Sequence, residues 1–181
     1  MRFSIIVMTY KSFENLEKNL CSISAQTFRD YEVIIADDGS ANYEESFVRG
    51  CIQKANLADK AQILHAKENQ GTVRNYTGAI MQAKGEIIVP LSQDDVFYDE
   101  EVLSDLSKFF EGNDARAVCS KRSFEGKKTL PTQSEIDLLA QDDIEKAYRA
   151  LIYRNLIYGA TFYFRKDLWL EVGGLIQITG F

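Results

Sequence analysis

Apolar runs alternate with amphipathic stretches along the chain as far as Gly112. Arg2–Thr9 (RFSIIVMT) is a near-continuous apolar run rich in β-branched residues and reads as a buried strand. Ser12–Gln26 follows with Phe13, Leu16, Leu20 and Ile23 at helical spacing, and Ser12 is placed to cap that helix. Tyr31–Asp37 (YEVIIAD) predicts a second strand. Asp37–Leu57 predicts a turn and then a helix turning Phe47, Cys51 and Ile52 inward. Ala61–Ala66 predicts a short third strand. Glu68–Glu86 predicts a loop and a helix from Thr72, with Gly85 as its stop signal, and Ile87–Leu91 predicts the fourth strand. Strands alternating with helices mean βαβ units and a largely parallel sheet. Strands apolar on both sides are those of a sheet covered by helices on both faces. The fold class expected is therefore α/β, a Rossmann-like, mostly parallel sheet.

The pattern loosens afterwards. Glu100–Gly112 predicts a helix with Val102, Leu103, Leu106 and Phe109/Phe110 on its apolar face, and Ala115–Lys121 a strand. Arg122–Gln133 (RSFEGKKTLPTQ) reads as an exposed loop broken by Gly126 and Pro131. Helical spacing returns over Asp142–Leu156, and Gly159–Lys166 predicts a last strand. No repeat or linker divides the chain. A single domain is expected over 1–181, changing from a nucleotide-type half over 1–112 to a more variable half over 113–181.

Composition narrows the functional classes. In 181 residues, 45% are hydrophobic and 12% aromatic, enough for one packed core. A net charge of −6 does not favour a nucleic-acid partner, and an acidic protein with an anionic ligand would need a metal ion to hold it. Cys21, Cys51 and Cys119 are odd in number and widely spaced, which gives neither a disulfide framework nor a zinc pattern and favours a reducing, cytoplasmic compartment. The apolar run at the N-terminus is too short for a signal peptide or a membrane span.

Chemistry gathers at the strand ends, where open parallel sheets bind ligands. The four predicted strands run out at Thr9-Tyr10-Lys11, at Asp37-Asp38-Gly39-Ser40, at KENQGTVRN, and at Ser92-Gln93-Asp94-Asp95. Each cluster alone has an ordinary explanation. DDGS is a common turn, QDD suits a helix N-terminus, and Arg74 at a helix start is commonly a solvated cation. His65 reads as a strand-end residue, Trp169 as core, and Asp142-Asp143 as a helix cap. Their placement on one rim points instead to a site. Adjacent carboxylates such as Asp94 and Asp95 are hard-oxygen ligands for Mg²⁺ or Mn²⁺, ions that share their shell with substrate phosphates. Other nucleotide folds are excluded by motif. The chain has no G-x-x-x-x-G-K-[ST], no G-x-G-x-x-G after the first strand, and no glycine in the TYKSFEN loop where a nucleotidylyltransferase carries a glycine-rich one. Nor does it place acids as a phosphoacceptor receiver does.

SIIVMTYKSFENLEKNLCSISAQTFRDYEVIIADDGS, ENQGTVRNYTGAIMQAKGEIIVPLSQDD and EVGGL together resemble the family 2 glycosyltransferases, inverting enzymes of the GT-A nucleotide-sugar fold. The resemblance covers nearly the whole chain and is most specific over 3–40 and 69–100. It implies that Thr9 and Tyr10 line a nucleotide pocket, that Asp37 accepts the N3–H of a uracil-like base, and that Asp38 supports that loop. Arg74 would contact base or diphosphate, Asp94 the ribose, and Asp95 the Mn²⁺ or Mg²⁺ bridging two phosphates. It further implies a nucleotide-diphospho-sugar donor, probed as UDP, and a hydroxyl-bearing glycan or lipid-linked acceptor, with work at the cytoplasmic face of a membrane by peripheral association. Two departures stand out. Ser92 occupies the first position of the family's D-x-D-D form. No acid follows Glu171, where the family places its catalytic residue shortly after the stretch matched by Gly173-Gly174-Leu175, so the general base is expected beyond Phe181 in a chain cut short. Two competing readings are a nucleotide-sugar binding module without turnover and an α/β interaction protein whose acids only cap helices.

Overall fold

A computed structural model describes residues 1–124, 128–140, 143–153, 156–157 and 159–174. In chain order the elements are β1 (Phe3–Thr9), α1 (Leu16–Ser24), β2 (Tyr31–Asp37), α2 (Glu45–Lys54), β3 (Ala61–His65), α3 (Thr72–Gln82), β4 (Ile87–Ser92), α4 (Val102–Gly112), β5 (Ala117–Cys119), β6 (Arg122–Phe124), β7 (Lys128–Leu130), α5 (Gln133–Leu139), α6 (Ile144–Tyr153), β8 (Phe162–Arg165) and α7 (Lys166–Glu171). A short 3-10 turn, Gly159–Thr161, leads into β8.

The main sheet has the order β3-β2-β1-β4-β8-β5. β1, β2, β3 and β4 run parallel, and β8 runs against both β4 and β5. Chain order reverses at β1, which has β2 on one side and β4 on the other. The pleat of β1 explains how both sheet faces come to be buried. Phe3, Ile5 and Val7 enter one core with Leu16, Leu20 and Ile23 of α1, Val48, Cys51 and Ile52 of α2, and Leu103, Leu106 and Phe110 of α4. Ile6, one register step away, joins Ile34 and Ile88 in a second core under Tyr76, Ala79 and Ile80 of α3 and Trp169 of α7. The α/β class, with its mostly parallel, doubly covered sheet, is as expected.

Several local expectations are corrected. Phe47 is exposed, and Val48 takes the inward position beside Cys51 and Ile52. Ser12 does not cap α1. That helix starts at Leu16 behind Asn15, and the Ser12 hydroxyl instead accepts a hydrogen bond from Gln93 Nε2 at 3.3 Å. α3 ends at Gln82 before Gly85 is reached. Gly85 lies against β1, where a Cβ would sit 2.5 Å from the Phe3 carbonyl carbon, so close approach and not helix termination requires glycine there. The stretch read as an exposed loop forms the β6–β7 hairpin, with Arg122 opposite Leu130 and Phe124 opposite Lys128; Gly126 lies outside the described residues. α5 was not expected, although Thr132 and Glu135 form a capping box at its start. Asp143 does cap α6, accepting the Lys146 N–H at 3.1 Å, while Asp142 lies outside the described residues. Among the described residues no helix is long and apolar enough to cross a membrane.

Candidate functional site

Sheet register brings the expected residues to one edge. Thr9 pairs with Asp37, Asp37 with His65, and Met8 with Ser92, so the tips of β1, β2, β3 and β4 lie abreast on either side of the point where chain order reverses. Asp37 is 0% exposed and all its lone-pair directions are used. Its Oδ1 accepts from Thr9 Oγ1 at 3.0 Å and Ser40 Oγ at 2.6 Å, and its Oδ2 accepts from Ser40 N at 2.9 Å and meets His65 Nδ1 at 2.8 Å. His65 is held from the other side by a stacked Tyr43 ring, with centroids 4.0 Å apart. A buried carboxylate is tolerable only with such partners, so Asp37, Thr9, Ser40 and His65 form one braced unit.

Asp38 is treated differently. It is 5% exposed, and its Oδ1 accepts the Gln70 N–H at 2.8 Å. Gly39 makes that contact geometrically attainable. At φ +68 it presses against the loop after β3, where a Cβ would lie 2.3 Å from the Glu68 carbonyl carbon. The same loop supplies Asn69, whose Oδ1 accepts the Gly71 N–H at 2.9 Å at the start of α3. Asn69 also hydrogen-bonds the Tyr10 phenol, which pulls that group below its ordinary pKa, with nearby Lys11 adding to the effect. Tyr10 is 40% exposed at the rim, and the Lys11 ammonium sits 4.8 Å from its ring centroid. Asn75 Nδ2 donates to the Ala36 carbonyl at 2.9 Å and fastens the first turn of α3, which carries exposed Arg74, to the tip of β2.

The acidic end of β4 is gripped from beneath. Asn19, fully buried on α1, donates to the Ser92 carbonyl at 2.9 Å and the Asp95 carbonyl at 2.7 Å. Gln26 donates to the Asp99 carbonyl at 2.6 Å and accepts from Leu103 N at 3.0 Å. Ser22 Oγ accepts from Phe97 N at 3.3 Å. The loop thus holds Asp94 exposed and Asp95 half-buried. Burial raises the Asp95 pKa and Asp94 adds to the rise, while Arg122 opposes it. Arg122 Nη2 donates to Asp95 Oδ1 at 3.0 Å, leaving Oδ2 without a hydrogen bond among the described residues.

Thr9, Asp37 and Asp38 are thus in mutual contact or consecutive, Tyr10 adjoins them, Arg74 stands on the helix tied to the same tip, and Asp94 and Asp95 follow the neighbouring strand. Asn19, Ser22, Gln26, Ser40, Asn69, Asn75 and Arg122 were not anticipated. The signal for Asn19 is present, since it falls within the helical stripe that Leu16, Leu20 and Ile23 define. Among the described residues no group of three or more His, Cys, Asp or Glu side chains is poised to hold a metal. Asp94 and Asp95 fit an ion that takes one or two carboxylates and completes its shell with water and phosphate, the habit of Mg²⁺.

Many open α/β folds carry a polar rim at the switch point of a doubly covered sheet; solved structures identify this one as GT-A. Staphylococcus aureus TarS (residues 1–349) in complex with UDP-GlcNAc superposes with a TM-score of 0.74 at 22% identity, covering 96% of this chain and 48% of that one. The mannosyltransferase PcManGT from Pyrobaculum calidifontis, in complex with GDP-Man and Mn²⁺, gives 0.68 at 19% identity, covering 97% and 47%. The model of glycosyl transferase family 2 matches residues 4–170, and the chain belongs to that family. In sequence it is 28% identical over 177 residues to the poly(ribitol-phosphate) beta-N-acetylglucosaminyltransferase TarS of S. aureus, covering 93% of this chain and 30% of that protein. It is also 32% identical over 111 residues to the GalNAc(5)-diNAcBac-PP-undecaprenol beta-1,3-glucosyltransferase of Campylobacter jejuni, covering 61% of this chain and 35% of that protein. The chain therefore spans about a third of the length of these curated relatives.

Proposed function

We propose that this chain forms the donor-binding part of a glycosyltransferase that moves a sugar from a nucleotide diphosphate, UDP in the first instance, to a hydroxyl acceptor with inversion. The observation that carries the reading is the rim itself: a hydrogen-bonded acid loop after β2 and an acid pair after β4, flanking β1 where chain order reverses. The solved relatives that hold UDP-GlcNAc, or GDP-Man with Mn²⁺, support the ligand class.

The residue roles follow from what each group has left to offer. Asp37 is saturated by its own neighbours, so base recognition passes to Asp38, and Asp37 supports the loop; this reverses the division of labour expected from the sequence. Thr9 is likewise internal and acts by bracing Asp37. Tyr10 offers an exposed ring for the base, and Arg74 a guanidinium for phosphate at the start of α3. Asp94 faces the ribose, and Asp95, with Asp94 beside it, would hold Mn²⁺ or Mg²⁺. Such an ion neutralises charge on a departing diphosphate. No residue among those described is assigned as the general base. Residues 1–112 supply the donor half, and 113–181 belong to the acceptor side. A lipid-linked acceptor would place the protein at the cytoplasmic face of a membrane by peripheral association.

Calorimetry with UDP and Mn²⁺ tests this reading. Binding is expected for the native chain and should fall at least about tenfold in Asp95→Ala. No binding by the native chain would overturn the donor site. Donor binding with no transfer to any hydroxyl acceptor would favour the binding-module reading.

A further inference from the structure

Asp95 is the proposed metal ligand, yet one of its oxygens is taken by a guanidinium. Arg122 Nη2 lies 3.0 Å from Asp95 Oδ1, with the two side chains 34% and 20% exposed. Arg122 comes from β6, and its guanidinium also lies over the Phe124 ring, 4.9 Å from the centroid, so it is held on two sides. β6 and β7 form a two-stranded sheet of their own, separate from the main sheet. Arg122 thus reaches Asp95 from outside the main sheet to which β4 belongs.

The electrostatics set up a competition. Asp94 and Asp95 repel each other, Asp95 is partly desolvated, and Arg122 offsets both penalties. A divalent cation arriving at Asp95 meets the positive charge of Arg122, whose Nη2 lies 3.0 Å from Oδ1. A nucleotide diphosphate alone meets two carboxylates. When cation and diphosphate arrive together, phosphate oxygens can accept the two-pronged guanidinium that Asp95 gives up.

We propose that Arg122 is a charge latch that occupies Asp95 while the donor site is empty and passes to the donor's phosphates when the cation takes Asp95, so that cation and nucleotide bind as a coupled pair. The inference rests on the donor-site reading above and adds a mechanism for coupling within it. Coupling of this kind is reciprocal: UDP must raise Mn²⁺ affinity by the same factor as Mn²⁺ raises UDP affinity.

The test is Mn²⁺ binding, followed by the electron paramagnetic resonance signal of free Mn²⁺, with and without UDP, in the native chain, Arg122→Ala, Arg122→Lys and Asp95→Ala. Arg122→Ala is expected to bind Mn²⁺ alone roughly three- to tenfold more tightly than the native chain, because a nearby like charge is gone. It should bind UDP in the presence of Mn²⁺ more weakly, so the coupling factor shrinks. Arg122→Lys, which keeps the charge without the fork, should fall between, and it serves in place of alanine if circular dichroism shows that the alanine variant does not fold. A residue that merely orients Asp95 would give the opposite sign, and unchanged or weaker binding of Mn²⁺ alone in Arg122→Ala overturns the latch. If the native chain binds UDP with Mn²⁺ and Asp95→Ala does not, the donor site stands whatever Arg122 does; if the native chain binds neither, the site and the latch fall together.

Discussion

Asp37 and Asp38 are neighbours in sequence and opposites in chemistry. Removing the Asp37 carboxylate strips Thr9, Ser40 and His65 of a common acceptor inside a dry region. Asp37→Ala is expected to cost about 3–5 kcal/mol, seen as a large drop in the chemical-denaturation midpoint. Asp38→Ala loses only the hydrogen bond from Gln70 N and should cost less, about 1–2 kcal/mol, while weakening UDP at least about tenfold. If both variants prove equally stable and equally weak for UDP, the division of roles is wrong. The acids themselves were legible, since two strands of the right kind end on them. What separates them was not. Their difference depends on Ser40 folding back, on His65 arriving from a third strand, and on Gln70 closing over the top. Arg122 was hidden for a related reason: only the folded chain brings a residue read as exposed loop to the end of β4.

At the scale of elements, α1 is a clamp as well as a core helix. Leu16, Leu20 and Ile23 pack under the sheet, while Asn19, Ser22 and Gln26 on the same side hold the loop from Ser92 to Leu103. Asn19→Ala leaves two carbonyls without their donor and should cost about 1–3 kcal/mol; it should also weaken UDP–Mn²⁺ binding in protein that remains folded. The two tightly packed glycines provide a contrast. Gly39→Ala combines left-handed backbone with a clash against the loop after β3, so it should lower both thermal stability and UDP affinity. Gly85→Ala clashes with β1 at the far edge of the sheet and should lower stability alone. Apolar spacing revealed the long helices and strands because each buries a continuous stripe. The three-residue strands β6 and β7 are too short to leave a period-two trace. The capping box of α5 was readable in Thr132 and Glu135 but sits in a stretch dominated by turn residues.

For the molecule as a whole, protection should be uneven. β1, β2 and β4 are buried between two layers of helices, whereas β6 and β7 pair only with each other. Amide exchange is expected to be slowest in β1, β2 and β4 and at least about tenfold faster in the hairpin, and UDP with Mn²⁺ should slow it around 37–40 and 92–95. Uniform exchange would contradict this layering. The antiparallel strand β8 carries a broader consequence. Cys119 at the end of β5 lies directly opposite Phe162 at the start of β8, and Ser120 N donates to the Thr161 carbonyl at 2.9 Å. The described elements between them, β6, β7, α5 and α6, are thus inserted between neighbouring rungs of the main sheet, and Arg122 reaches back from that insertion to Asp95. Swapping segments there for those of a relative need not shift β1, β2 or β4, provided that the guanidinium at 122 is kept.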